Sequence, residues 1–357
     1  KIVTGIRRCG KSYLLFNLFY KHLLSCGVPE DHIVSVALDD FGNKKLRDPE
    51  ALYDFVKGKI TDKADYYILL DEIQLVDDFE SVVNGFARMS NVDVYITGSN
   101  SKFLSSDVIT EFRGRGDEIR VYPLCFSEFY SVYGGDFDQA WLMYCNYGGM
   151  PLCLSMETAE DKAKYLTNLF ETTYLKDIIN RHKLRGNDEI GELTDVLASS
   201  IGSFTNPTKL ANTFGSVKNV KLSANTVASY IDYLQDSFLI EKAVKYDIKG
   251  KKYISTPAKY YFVDLGLRNA RLAFRQQEYT HIMENVIYNE LRMRGYSVDV
   301  GTVECVGKDG STATRKNLEV DFVVNLGNRR YYIQSAYNIP NEEKLSQEQA
   351  SLLAVND

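Results

Sequence analysis

The sequence predicts an α/β protein whose N-terminal part is a doubly wound parallel sheet built on a phosphate-binding loop. Three observations carry that expectation. Residues 5–12 read Gly-Ile-Arg-Arg-Cys-Gly-Lys-Ser and fit G-x-x-x-x-G-K-[ST], between an apolar pair and a stretch of helical spacing. Apolar runs of strand length then alternate with helix-length segments, and one of them closes on Asp71-Glu72. From about residue 189 the texture changes to short helices, a hairpin and a second, smaller set of α/β elements.

The loop comes first. Ile2 and Val3 are the end of a strand, and residues 13–19 open a helix. The two glycines let the backbone wrap an anion closely, so that successive N–H groups and the helix N-terminus point at phosphates. Gly5, Ile6, Arg7, Arg8, Cys9, Gly10, Lys11, Ser12 and Tyr13 form the expected nucleotide contact. Lys11 reaches the β- and γ-phosphates as a point charge, and the Ser12 hydroxyl takes one Mg²⁺ position. ATP and Mg²⁺ are the cofactors this implies.

The 357 residues exceed one ordinary domain, and 45% apolar with 25% charged residues is a common globular composition. Without a run of eighteen apolar residues or a signal-like leader, the reading is of a cytoplasmic protein with no membrane partner. The six cysteines form no C-x-x-C pair and one lies inside the loop, so free thiols are expected. The four histidines show no ligand spacing, which argues against zinc. Lys1 is too close to the loop for a full-length strand, so natural sequence upstream is expected. A polar helix over residues 346–357, with no element after it, makes the C-terminal domain incomplete on the same reading.

Residues 33–38 are a second strand ending at Asp39-Asp40, and 49–60 a helix behind it. Residues 66–70 form a third strand that delivers Asp71 and Glu72 at its carboxyl end. Asp71 can hold the magnesium shell and Glu72 can orient and deprotonate a water. The same pair also serves as cap and first-turn charge for a following helix. A fourth strand, 92–97, runs into Gly98-Ser99-Asn100-Ser101, and a fifth follows at 119–121.

The stretches G-I-R-R-C-G-K-S, L-L-D-E-I-Q, I-T-G-S-N-S, F-R-G-R and P-L-C-F-S-E-F resemble a family of prokaryotic AAA-type ATPases. In that family the ATPase core is joined to a C-terminal region long catalogued as a domain of unknown function. The resemblance implies an AAA-type P-loop NTPase, followed by a helical lid, a winged helix and a small α/β restriction-nuclease-like domain. It gives Asn100, or Ser99, the place of a γ-phosphate sensor. It also gives Arg113 or Arg115 the place of an arginine finger, whose supply in trans would require a homo-oligomer. Gly148-Gly149-Met150-Pro151 matches a Gly-x-Pro turn near the adenine in related ATPases, or is a plain helix stop. The expected domains are 1–130 for the core, 131–188 for the lid, 189–262 for the winged helix and 263–357 for the nuclease-like part.

In the winged-helix segment, helices open near residues 206 and 223, and residues 243–253 form a hairpin turned at Lys249-Gly250. Residues 207–259 hold nine lysines, no arginine and four acidic residues, a balance of +5 in a chain whose net charge is −6. Such a basic island is the footprint of a polyanion. Asn225, Thr226 and Ser229 can face DNA base edges while Lys249, Lys251 and Lys252 meet phosphates. Interdomain packing and surface solubility account for the same residues.

In the last segment a helix bearing Glu284, a strand bearing Asp321 and a strand ending in Gln334 resemble the PD-(D/E)XK restriction-nuclease core. Ala336 stands where that pattern has lysine, so a degenerate structural domain is expected and nuclease activity is not. Two classes of function follow. One is an ATPase that couples Mg-dependent ATP binding and hydrolysis to rearrangement of the C-terminal domains. The other is an ATP-switched DNA-binding or signalling module with little turnover, acting with a protein partner. An ATP-gated nuclease is a weaker third.

Overall fold

Strand β1 (Ile2–Thr4) enters the phosphate-binding loop and lies inside a five-stranded parallel sheet. The computed structural model describes residues 1–98, 117–184, 187–217, 222–275, 278–309 and 312–355. The chain forms two units, Lys1–Pro123 with Asp236–Phe238, and Leu124–Gln235 with Leu239–Asp357.

In the first unit, β1 leads into helix α1, which is α-helical over Lys11–Tyr13, π-helical over Leu14–Phe19 and α-helical again over Tyr20–Ser25. Strand β2 (Ile33–Ala37) follows, then helix α2 (Pro49–Lys59). Asp48 caps α2 by accepting the Ala51 N–H at 2.9 Å, and Pro49 sits in the first turn, where no N–H is needed. Strand β3 (Tyr66–Asp71), helix α3 (Phe79–Ala87), β4 (Val92–Thr97) and β5 (Glu118–Arg120) complete the unit.

The strand order is β2-β3-β4-β1-β5, with every pairing parallel. Alternation along β3 explains the two-sided burial. Ile68 and Leu70 pack with Leu52, Val56 and Phe86 on one face, while Leu69 joins Leu15, Leu23 and Ile33 on the other. Covered on both faces, the sheet leaves its carboxyl edge for chemistry. With β4 between β1 and β3, the loop, Asp71 and Thr97 arrive at that edge together.

The second unit begins with helices. They include α4 (Phe126–Tyr133), which straddles the expected end of the core at residue 130, and α5 (Phe137–Tyr147) and α6 (Ala159–Leu169), in the segment read as a lid. The Gly148-Gly149 turn between α5 and Pro151 is buried within this unit. A Cβ on Gly149 would stand 2.0 Å from the Leu124 carbonyl oxygen, and the Gly149 N–H donates to Asp264 Oδ2 at 2.8 Å.

Next come α7 (Pro207–Val217) and α8 (Ala224–Asp236), then the hairpin of β6 (Ile240–Asp247) and β7 (Lys252–Phe262). Helix α9 (Tyr279–Met293), strands β8 (Ser297–Asp309), β9 (Thr312–Leu326) and β10 (Arg329–Ile333), and helix α10 (Glu342–Leu353) finish the chain. The hairpin read as a wing is also part of a larger sheet of order β10-β9-β8-β6-β7, because β6 pairs in parallel with β8 from Lys245↔Val300 to Asp247↔Thr302. The sheet therefore runs across residue 262, where the sequence suggested a boundary. Ala243, Tyr261, Tyr288, Val300 and Phe322 share one core, so the hairpin buries its apolar face against α9 and the later strands. Two strands alone would bury too little to hold. Among the described residues no helix is long and apolar enough to cross a membrane.

Candidate functional site

The loop's backbone accounts for its glycines. Gly5 has φ +141° and a Cβ there would stand 2.0 Å from the Val121 carbonyl oxygen, so both conformation and space demand glycine. Gly10, at φ +106°, precedes the first turn of α1. Ile6 and Cys9 are buried beneath the loop, and burial pushes the Cys9 thiol pKa up. All six cysteines are free.

Lys11 is only 5% exposed, and its Nζ donates to the carbonyls of Gly5 at 2.9 Å and Ile6 at 3.0 Å. An ammonium has three donors, so it can serve the loop's own carbonyls and a phosphate oxygen. Arg7, Arg8, Ser12 and Tyr13 are exposed along the rim. With Gly10, Lys11, Asp39 and Glu72 they line a cleft of about 280 Å³.

Behind the cleft, Asp71 is buried at the end of β3 and its Oδ1 accepts the Thr97 hydroxyl from the tip of β4. The same Thr97 oxygen accepts the Glu72 N–H at 3.1 Å. Glu72 is left-handed at φ +53°, a conformation that turns the chain sharply out of the strand. Gln74 Nε2 donates to Glu72 Oε2. One acid is thus fixed in the sheet edge and the next is swung into the cleft.

Of the expected nucleotide contacts, Arg7, Arg8, Gly10, Lys11, Ser12 and Tyr13 converge on one cleft together with Glu72, the expected base, while Gly5, Ile6 and Cys9 are buried. Ser99, Asn100, Arg113 and Arg115 lie outside the described residues. Sequence reading gave no site role to Thr97, Asp39 or Gln74. For the first two the signal was position, since Thr97 ends β4 and Asp39 lies two residues past the end of β2. Among the described residues no three His, Cys, Asp or Glu side chains converge as a metal cage. The hard oxygens of Ser12 and Asp71 suit Mg²⁺, which takes few protein ligands when a nucleotide supplies the rest.

The second unit gathers the residues of the nuclease-like pattern differently. Glu284 Oε1 accepts from Lys259 Nζ at 2.8 Å and from the Tyr261 hydroxyl at 2.6 Å. Lys259 Nζ also lies 2.5 Å from Glu319 Oε1. Asp321 Oδ2 accepts the Ser335 N–H and hydroxyl at 2.7 and 2.8 Å. Gln334, just past β10, accepts from Ser351 and donates to Glu348. These groups are taken up by the protein's own donors and acceptors. A cation does lie in this cluster: Lys259, from β7, sits between the Glu284 and Glu319 carboxylates. Burial raises the Glu284 carboxyl pKa, and the hydrogen bonds and charge of His281, Lys259 and Tyr261 outweigh it and hold it below the ordinary value.

On the hairpin, Lys249, Lys251 and Lys252 are exposed, and Lys249 Nζ donates to the Glu304 carbonyl at 2.5 Å. Asn225 and Ser229 are exposed on α8, whereas the Thr226 hydroxyl is shared with Ser223 at 2.8 Å. Asn225 lines a groove of about 850 Å³ with Asn206, Lys209, Asn212 and Thr213 of the α7 region.

Residues 1–130 match a family described as AAA domain, and residues 138–278 one described as Domain of unknown function (DUF8612). An uncharacterized protein of Haemophilus influenzae is 33% identical over 365 residues, covering all of this chain and 86% of that protein. Uncharacterized protein MJ1544 of Methanocaldococcus jannaschii is 28% identical over 373 residues, covering all of this chain and 79% of its own. Among solved structures, a Walker-type ATPase of Pyrococcus abyssi aligns with TM-score 0.52 and 13% identity over 76% of this chain and 90% of its own, a likeness of fold.

Proposed function

We propose, since this chain belongs to the family of that Haemophilus influenzae protein and its own sequence matches an AAA domain ahead of a domain of unknown function, that its N-terminal unit binds and hydrolyses Mg·ATP. One observation carries the reading: Lys11, Ser12 and Glu72 line a single cleft, and Glu72 follows directly on Asp71, which holds the Thr97 hydroxyl. In this reading the loop N–H groups and Lys11 take the β- and γ-phosphates, and Ser12 and Asp71 hold Mg²⁺, which would offset phosphate charge. Glu72 accepts the proton of the attacking water. Asn100 as γ-phosphate sensor, and Arg113 or Arg115 as a finger from a second copy, belong to the same proposal. Turnover would drive rearrangement of the lid, winged-helix and nuclease-like segments.

The test is steady-state phosphate release by the full chain with Mg·ATP. Turnover that stops on adding excess EDTA is expected. A chain that binds ATP and releases no phosphate under any condition would sink hydrolysis and leave the ATP switch standing.

A second reading concerns the basic segment. Three exposed lysines on one turn, with exposed Asn225 and Ser229 elsewhere in the unit, support a DNA-binding role. Changing Lys249, Lys251 and Lys252 together to Glu is expected to weaken duplex binding at least tenfold at low salt and to flatten its salt dependence. Unchanged affinity in a fluorescence titration would remove the hairpin from any nucleic-acid role.

A further inference from the structure

The base proposed for hydrolysis is held by Thr97 at its backbone and by Gln74 at its carboxylate, and Gln74 has no assigned role. Glu72 leaves β3 in a left-handed conformation, its N–H bound by Thr97. Two residues on, Gln74 sits in the short 3-10 turn Ile73–Leu75, anchored because Ile73 is fully buried. From that turn its Nε2 donates to Glu72 Oε2, while its own Oε1 is buried with no hydrogen-bond partner among the described residues. A glutamine serving only the fold would satisfy both ends of its amide. Here one end is spent on a carboxylate in the cleft and the other is left costly.

We propose that Gln74 is a positioning residue that aims the Glu72 carboxylate at the attacking water. This rests on the hydrolytic reading above. In the step, the water oxygen forms a bond to the γ-phosphorus while the bond from that phosphorus to the bridging oxygen breaks. The electron pair leaves with ADP, and the water proton passes to Glu72. A carboxylate on two rotatable bonds beyond Cβ has several directions open to it, and each hydrogen bond it accepts narrows them. Holding one oxygen from Gln74 narrows that choice before the substrate arrives, which raises the rate without changing how phosphates are bound. The amide reaches the carboxylate only because Glu72 is left-handed, which brings the side chains of residues 72 and 74 to the same side of the turn.

The experiment compares Gln74→Met, similar in length but without the donor, and Gln74→His, which restores an N–H, with wild type. ATP affinity is read with a fluorescent analogue, and kcat and KM from phosphate release. Expected are a 10- to 100-fold fall in kcat for Gln74→Met at unchanged affinity, and recovery of at least part of it in Gln74→His. If wild type turns over and Gln74→Met matches it, the positioning role is overturned while the hydrolytic reading stands. If Gln74→Met loses affinity as much as rate, the glutamine supports the fold of the cleft and the proposal also fails. A wild type that never releases phosphate overturns both readings.

Discussion

Replacing Glu72 with Gln is expected to leave ATP bound and to slow its hydrolysis by about 10²- to 10⁴-fold, the usual worth of a positioned general base. The amide keeps the size and left-handed placement of the side chain but cannot take a proton. Lys11→Ala should act at the other step. Its ammonium is buried and bound to the Gly5 and Ile6 carbonyls, so on the proposed reading its loss removes both a phosphate ligand and a clasp on the loop. Affinity should drop at least tenfold, with rate following occupancy. Calorimetric binding beside phosphate release separates the two. A Glu72→Gln protein that hydrolyses at the wild-type rate would remove the base from the mechanism, and a Lys11→Ala protein of normal affinity would remove the loop.

The second large effect concerns stability. Lys259→Met is expected to destabilise the second unit by about 3–5 kcal/mol, because it strands Glu284 in the interior without its cation. Lys259 is 2% exposed and Glu284 5%, so water cannot replace the lost partner. Glu319 is more exposed and should add little. Glu284→Gln added to Lys259→Met should recover part of the loss, since no charge then remains unpaired.

The pH dependence follows from the two shifts. The Glu284 carboxyl lies below its ordinary 4.5, so its contribution is present above that pH and is lost as pH falls through the lower folded value. For Lys259, burial works to lower the pKa, but Glu284 and Glu319 outweigh it and hold it above 10.5. Its contribution is present below 10.5 and is lost as pH rises through the higher folded value. The gap in melting temperature between wild type and Lys259→Met should therefore be open at neutral pH, narrow on the acid side once the unpaired Glu284 of the variant takes up a proton, and narrow again above about pH 10. A gap absent at pH 7 would show that the pair contributes nothing net. Asp264 runs the other way, since burial lifts its carboxyl to about 6 and so costs stability as pH rises from 3.8 toward that value.

Much of the first unit was legible before any coordinates. The loop is eight contiguous residues, and strands β2 to β4 fell within a residue or two of their apolar runs because a sheet covered on both faces demands unbroken hydrophobicity. Asp71 and Glu72 were visible as acids at a strand end. Gln74 was in plain view two residues later, but nothing local says that Glu72 is left-handed. The second unit was less legible. Its helices and hairpin showed in the pattern, whereas the parallel pairing of β6 with β8 joins stretches about fifty residues apart and leaves no periodic trace.

By itself, then, the sequence determined the phosphate loop, the acid pair at the sheet edge and the alternation that builds the sheet. Each is encoded in neighbouring residues, through glycine's freedom or the period of apolar side chains. Only the tertiary structure decided that Thr97 ties Asp71 to the Glu72 backbone across 26 and 25 residues, and that Lys259 supplies the Glu284 cluster with its cation across 25. Such contacts depend on which strands lie side by side, and strand order is set by the packing of the whole core.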